Sequence, residues 1–298
     1  MTVLLLGATG QLGTELQQYL AQSKQLLTQG RHKVQYYYDD LRHTKKLIKS
    51  LKQIRPNIIV NAAAYTAVDT VQECHVIARQ INTIAPSILA DEAATLGAWL
   101  VHYSTDYVFN GNGSQPWLET DRAHPLNVYG QTKLEGDLAI QASGCKHLIL
   151  RTSWLYSRCG NNFVRAILQR AETQDQLAVV NDQFGAPTSA NLIAKLTAHA
   201  LEQVMQRPEL GGLYHVAAQG ETSWFYYAKF VLEQAHLRGI PLRVKPDEIQ
   251  PVSSQDYGAL APRPANSRLN TSKFCANFGV DLPPWQEGVA QFVAELAQ

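Results

Sequence analysis

Four short runs of almost unbroken apolar residues, joined by stretches of helical period, limit this chain to few folds. They read "TVLLLG", "NIIVNAAA", "AWLVHYST" and "KHLILRTS". A strand that is apolar on successive positions, rather than on alternate ones, is buried on both faces, as in a parallel sheet covered by helices. The segments between the runs supply those helices. "QLGTELQQYLAQ" sets Leu12, Leu16, Tyr19 and Leu20 on one face, and Thr44 to Ile54 does the same with Leu47, Ile48, Leu51 and Ile54. Lys45, Lys46, Lys49 and Lys52 form the solvated side of the latter, and Arg55-Pro56 ends it. "INTIAPSILADEAATLG" is a third helix, closed by Gly97. The expected fold class is α/β: a doubly wound parallel sheet, Rossmann-like, with a second, smaller α/β domain for substrate.

At 298 residues the chain exceeds the usual single-domain length. Residues 1–150 are expected to form a dinucleotide-binding domain and 151–298 mainly a substrate-binding one, with the strand and helix near 212–238 returning to the first. Past residue 153 the pattern loosens into a helix near 162–172, the strand "LAVV", the turn "DQFGAPTS" and a helix from Ser189 to Gln206. "PVSSQDYGALAPRPANSRLN" is a long loop of the kind that lines sites.

Composition excludes several classes of function. The formal charge of +1 gives no electrostatic case for nucleic acid or an anionic membrane. The apolar run Val3 to Leu6 is too short to span a bilayer, and nothing resembles a secretory leader. Four cysteines without CxxC spacing read as reduced thiols of a cytoplasmic protein. Nine histidines show no metal-ligand spacing, so no protein-bound metal centre is expected.

"GATGQLG" carries Gly7, Gly10 and Gly13 between the first strand and its helix. A backbone that turns sharply there and approaches a pyrophosphate has no room for a β-carbon, and the helix start offers unpaired N–H groups to the phosphates. The second strand of such a fold usually ends in an acid that grips the ribose of NADH. In "QLLTQGRHK" that place falls on Gly30, Arg31 and His32, and an arginine there suits a 2′-phosphate, tilting the reading to NADPH. "HYSTDYVFNG" puts Ser104, Thr105 and Asp106 past the carboxyl end of a strand, where open α/β sheets build their crevices. "NVYGQTK" then sets Tyr129 and Lys133 one helical turn apart. A free phenol, with a pKa near 10, is a poor acid at neutral pH, and an adjacent ammonium lowers that value. Thr105 adds a hydrogen bond to the same carbonyl oxygen.

On these residues the chain resembles the extended short-chain dehydrogenase/reductases and, within them, the dTDP-4-dehydrorhamnose reductase family. The narrower likeness rests on "STDYVF", "NVYGQTK", "RTSW" and "NDQFGAPT" and runs over nearly the whole length. It implies that Tyr129 is the proton donor, that Lys133 holds the nicotinamide ribose and tunes the phenol, and that Thr105 shares the keto oxygen. It places Gly10, Gln11 and Leu12 at the pyrophosphate and Asp39 and Asp40 at the adenine. Ala64, Tyr65 and Thr66 fall beside the cofactor ribose, and Tyr103 touches the cofactor. Thr105, Asp106 and Trp154 meet the sugar nucleotide. The implied reaction carries hydride from NADPH, or NADH, to the 4-keto carbon of dTDP-6-deoxy-L-lyxo-4-hexulose and gives dTDP-L-rhamnose, a precursor of cell-surface polysaccharide. The chain is expected as a monomer or weak homodimer.

The resemblance also marks departures. Some members hold Mg²⁺ with three acids at a dimer interface; Glu15 and Glu295 match two, but the third position is Asn191, a poorer ligand for a hard cation. Two other readings stay open: a sibling reductase giving 6-deoxy-L-talose or a branched sugar, and a regulatory binding module of the same fold. His102 reads as a hydrogen-bonded core residue. Glu119 and Asp121 read as loop anchors, and Arg263 and Arg268 as diphosphate ligands or ion-pair partners.

Overall fold

The computed structural model describes residues 1–22, 33–37, 40–72 and 74–297. Its centre is a six-stranded parallel sheet of β1 (Thr2–Leu6), β2 (Lys33–Tyr37), β3 (Ile58–Asn61), β4 (Trp99–Thr105), β5 (Lys146–Thr152) and β6 (Gly212–His215), in the order β6-β5-β4-β3-β1-β2. The chain leaves β1 toward one edge and returns on its other side at β3. Strand order therefore reverses beside β1, which is where such sheets open a crevice at their carboxyl ends.

Successive strand residues face opposite layers, so the apolar runs feed two cores at once. Val3, Leu5, Val60, Val101 and Leu150 pack under α1 (Gln11–Gln22) and α6 (Ala190–Gln206). Leu4, Leu6, Ile59, Leu100 and Ile149 pack under α2 (Thr44–Ile54), α3 (Ala85–Leu96) and α4 (Val128–Ala142). A separate core joins α5 (Phe163–Thr173), α7 (Trp224–His236) and α8 (Trp285–Leu296) through Ile167, Tyr227, Val231, Val289 and Phe292.

Two expectations need correction. The segment near 212–238 divides: β6 pairs with β5, but α7 buries Tyr227, Ala228, Val231 and Leu232 in the separate core. The reason is local. Ser223, just before α7, pairs antiparallel with Phe184, and this anchors the helix start on that second body. The second strand also lies later than expected. It runs from Lys33 to Tyr37, with Leu6 opposite Tyr37, so its carboxyl end comes well after Arg31. Arg31 itself lies outside the described residues.

A π-helical turn, Gln80–Ile84, precedes α3 and turns the Asn82 carbonyl toward α4. A Cβ at Gly136 would sit 2.3 Å from that oxygen. Gly→Ala inside an exposed helix normally stabilises by roughly 1 kcal/mol. At Gly136 the sign reverses: we expect Gly136→Ala to lower the urea-unfolding free energy by about 2 kcal/mol, as overpacking does.

Candidate active site

The glycine turn is built by contact. Gly7 has φ +75°, and a Cβ on it would lie 2.6 Å from the Ala63 nitrogen. A Cβ on Gly13 would lie 2.0 Å from the Gly7 carbonyl oxygen, while Gly10 N–H donates to that oxygen at 3.0 Å. The loop is thus pressed against β3, and the first turn of α1 opens onto the crevice. Gln11 and Leu12 begin α1, so their backbone N–H groups have no partner within the helix. The Gln11 side chain bonds Asn161 O at 3.0 Å and Ser157 Oγ at 3.2 Å, and Leu12 is buried in the sheet core. Beside the turn lies a cavity of about 240 Å³ lined by Gly7, Ala8, Tyr37, Leu41, Ala63 and Ile81. A close-approach backbone at a helix start suits a pyrophosphate, and the cavity beside it has room for part of a dinucleotide.

The adenine-end residues divide. Asp40 accepts from Arg42 N at 2.9 Å and Arg42 Nε at 2.7 Å, and these bonds hold its carboxyl at about 2. Asp39, like Arg31, lies outside the described residues. Ala64, Tyr65 and Thr66 form the loop after β3. Asn82, which the sequence reading missed, clamps this loop by accepting from Tyr65 N at 2.9 Å and donating to Tyr65 O at 3.0 Å. Its only sequence signal was a buried amide within a helical apolar stretch. Tyr103 differs from expectation. Its phenol bonds Thr197 Oγ1 at 2.9 Å in the core under α6, because side chains along β4 alternate between faces. Its link to the site is its carbonyl, which accepts from Lys133 Nζ at 2.5 Å.

Asn127 sets the catalytic helix in place. Its Oδ1 caps α4 by accepting from Gly130 N at 2.8 Å, and its Nδ2 holds Pro262 O of the tail loop at 2.8 Å. Tyr129 follows in the first turn, half-buried, with its ring edge-on to Tyr107 at 5.7 Å and its phenol toward the Thr105 side chain. Thr105, Tyr129 and Lys133 are therefore brought together at the carboxyl end of β4. Their electrostatics differ from the sequence argument. Burial pushes the Tyr129 phenol up, the carboxylates of Asp106 and Asp137 add to this, and the Thr105 side chain opposes it. Lys133 Nζ lies instead against His102 Nε2, 3.0 Å away, and the Tyr103 carbonyl. Burial draws it down to about 8, against the pull of Asp137. The phenol therefore keeps its proton at neutral pH.

Asp106 is buried, accepts from Thr105 Oγ1 at 3.1 Å, stands near Ser267, and has a second oxygen, Oδ2, with no hydrogen-bond partner among the described residues. Burial raises its carboxyl to about 7. Across the crevice lies a cavity of about 460 Å³, lined by Tyr107, Phe163, Arg170, Val180, Trp224 and Arg263. Trp154 stacks on Trp224 at 3.7 Å and itself has φ +48°, a strained backbone of the kind found at functional sites. It supports a wall residue of that cavity. Arg263 reaches the cavity while paired with Asp69 at 2.8 Å, whereas Arg268 is spent on Glu221 and the Phe184 ring. Glu119 accepts from His215 N and Asp121 from Leu118 N, both as loop anchors.

The residues matched to a Mg²⁺ site do not fit one. Asn191 Nδ2 donates to Glu15 at 2.9 Å, Asn191 Oδ1 accepts from Tyr19 at 3.1 Å, and Arg158 pairs with Glu295 at 2.6 Å. All three side chains are thus engaged with one another or with a guanidinium and a phenol, and the third position is an amide where a hard cation favours a carboxylate.

A parallel sheet with a glycine turn, and with a tyrosine and lysine one turn apart at a strand end, defines a short-chain dehydrogenase/reductase. The family described as RmlD substrate binding domain matches residues 1–298. The chain is 48% identical over 296 residues to the dTDP-4-dehydrorhamnose reductase of Escherichia coli K12, covering 99% of this chain and 98% of that one. Among solved structures, the dTDP-4-dehydrorhamnose reductase of Bacillus anthracis in complex with NADP is 32% identical with TM-score 0.85, covering 99% of both chains. That of Clostridium acetobutylicum is 33% identical with TM-score 0.87, covering 100% of both. The chain belongs to the dTDP-4-dehydrorhamnose reductase family.

A carboxyl raised in the folded state contributes stability below its unfolded pKa and loses it as pH rises through the folded value. With Asp106 at about 7, that loss falls between about pH 4 and 7. Asp106→Asn should therefore raise the melting temperature more at pH 8 than at pH 5; an equal rise at both would contradict the assignment.

Proposed function

We propose that the protein reduces the 4-keto group of dTDP-6-deoxy-L-lyxo-4-hexulose to give dTDP-L-rhamnose, with NADPH as reductant. The observation that carries this reading is the meeting of Tyr129, one helical turn before Lys133, with Thr105 at the carboxyl end of β4, its ring edge-on to Tyr107, which lines the aromatic-walled cavity. The Bacillus anthracis relative, solved with NADP, supports the choice of coenzyme, which no longer rests on Arg31. In this scheme the backbone from Gly7 to Gly13 receives the pyrophosphate, Ala64 to Thr66 flank the ribose, and the coenzyme supplies hydride to C4. Thr105 Oγ1 and the Tyr129 hydroxyl hold the keto oxygen. As negative charge grows on that oxygen, Tyr129 transfers its proton.

Lys133 fixes the nicotinamide ribose and supplies positive charge beneath the phenol. Asp106 Oδ2, a buried acceptor with no partner among the described residues, takes a sugar hydroxyl. Trp224 and Phe163 offer flat apolar faces to the thymine, with Trp154 behind, and Arg263 and Arg170 meet the diphosphate. No helix among the described residues is long and apolar enough to cross a membrane. Four free thiols suit the cytoplasm, and the protein works there as a monomer or weak homodimer.

Tyr129→Phe removes the proton donor and keeps the ring. We expect kcat for NADPH oxidation with the keto sugar to fall by about 10²–10⁴-fold, the range for general-acid catalysis. The NADPH dissociation constant, read by fluorescence titration, should stay within about threefold. Retained turnover would exclude the assignment.

A further inference from the structure

Beneath Lys133 lies a polar cluster that the reaction scheme leaves unused. His102, on β4, is 1% exposed, and both ring nitrogens have partners. Nδ1 faces Asn61 Nδ2, on β3, at 3.1 Å. The orientation of that amide follows from its other end, where Asn61 Oδ1 accepts from Ala63 N at 3.3 Å. An amide NH₂ only donates, so Nδ1 must accept, and a neutral ring then carries its proton on Nε2. Nε2 lies 3.0 Å from Lys133 Nζ. An ammonium has three N–H groups and no lone pair, so it cannot receive this donor; the amine can. We propose that His102, oriented by Asn61, is a positioning residue that governs whether Lys133 carries its ammonium charge, through an Nε2–H donated to Nζ.

The surrounding groups fit this role. On α4, Asp137 is fully buried; its Oδ2 accepts from Ser104 Oγ at 2.8 Å and from Arg151 Nε, on β5, at 3.1 Å. Its Oδ1 has no hydrogen-bond partner among the described residues and stands 4.0 Å from His102 Nε2. When Lys133 takes its third proton, this oxygen is the acceptor left for the ring N–H, so the orphan atom gains a purpose. Tyr129 and Asp106 complete the ionisable groups facing the cluster from the crevice, and Arg151 places its charge on the far side of Asp137. The direction of the Lys133 shift agrees: burial lowers it to about 8. The alternative tautomer would need the Asn61 amide turned over, setting its NH₂ against Ala63 N–H.

The consequence for catalysis rests on the proposed role of Lys133 in the reduction. Activity requires the ammonium, so kcat/KM for the sugar nucleotide at saturating NADPH should fall on the alkaline side as Lys133 deprotonates. His102→Gln replaces a ring whose donor is fixed by an amide that can turn its oxygen to the ammonium. The alkaline limb should move up by about half a pH unit or more. An unmoved limb in a variant with the melting temperature of the parent would reduce His102 to packing and overturn the proposal.

A second measurement needs no substitution. ¹⁵N NMR of the histidine-labelled wild-type protein should show the His102 ring neutral and protonated on Nε2; a proton on Nδ1 overturns the proposal, whether or not His102→Gln folds. Lys133→Met separates the two readings. Full activity in that variant would sink the catalytic role of Lys133, while the tautomer still judges the contact by itself.

Discussion

The functional groups all depend on one seam, where α4 crosses the carboxyl half of β4, and polar contacts hold that seam. Asp137 takes Ser104 and Arg151, Lys133 takes the Tyr103 carbonyl, and Asn82 takes Thr132 Oγ1 at 3.2 Å. Buried ion pairs add little net stability, since desolvation offsets most of the attraction. Removing one partner is another matter, because the other is left charged and unpaired. A seam of this kind tolerates one register, and that register fixes the Tyr129 hydroxyl next to Thr105. Apolar packing from Ile140 closes the far end of the helix but would allow it to slide.

The crevice is made by the absence of side chains as much as by their presence. Gly7 and Gly13 let the first loop lie against β3 and against itself, and Gly130 and Gly136 let α4 approach the Tyr107 and Asn82 carbonyls. Each close approach draws a wall inward beside the clefts that lie on the two sides of the strand ends. One side has backbone donors at a helix start. The other has aromatic faces and two arginines, Arg170 and Arg263. Backbone donors suit a pyrophosphate, and aromatic faces suit a nucleotide base.

Much of this was legible in the sequence. Strands β1, β3, β4 and β5 announced themselves because burial on both faces demands apolar residues at every position. The edge strand β2 did not: with "KVQYY" it is solvent-facing at its start and gives no such run, so Arg31 was set at the wrong end of it. Helix α7 was assigned to the sheet because sequence neighbours usually pack together, and the Phe184–Ser223 pairing that diverts it joins segments far apart in the chain. The candidate pair was readable since helical spacing alone brings Tyr129 and Lys133 to one face. The phenol's environment was not. The Asp106 and Asp137 carboxylates and the burial that raise its pKa arise only when α4 docks on β4. Asn82 escaped for a related reason: a π-turn leaves no periodic signature in the residues that form it.

The most direct test follows the hydride. With NADPH deuterated on the transferring face of C4 and freshly made keto sugar, NMR of the product should find one deuterium at C4 of a dTDP-sugar with the rhamno configuration. Deuterium elsewhere, none at all, or a talo product would contradict the account of the crevice.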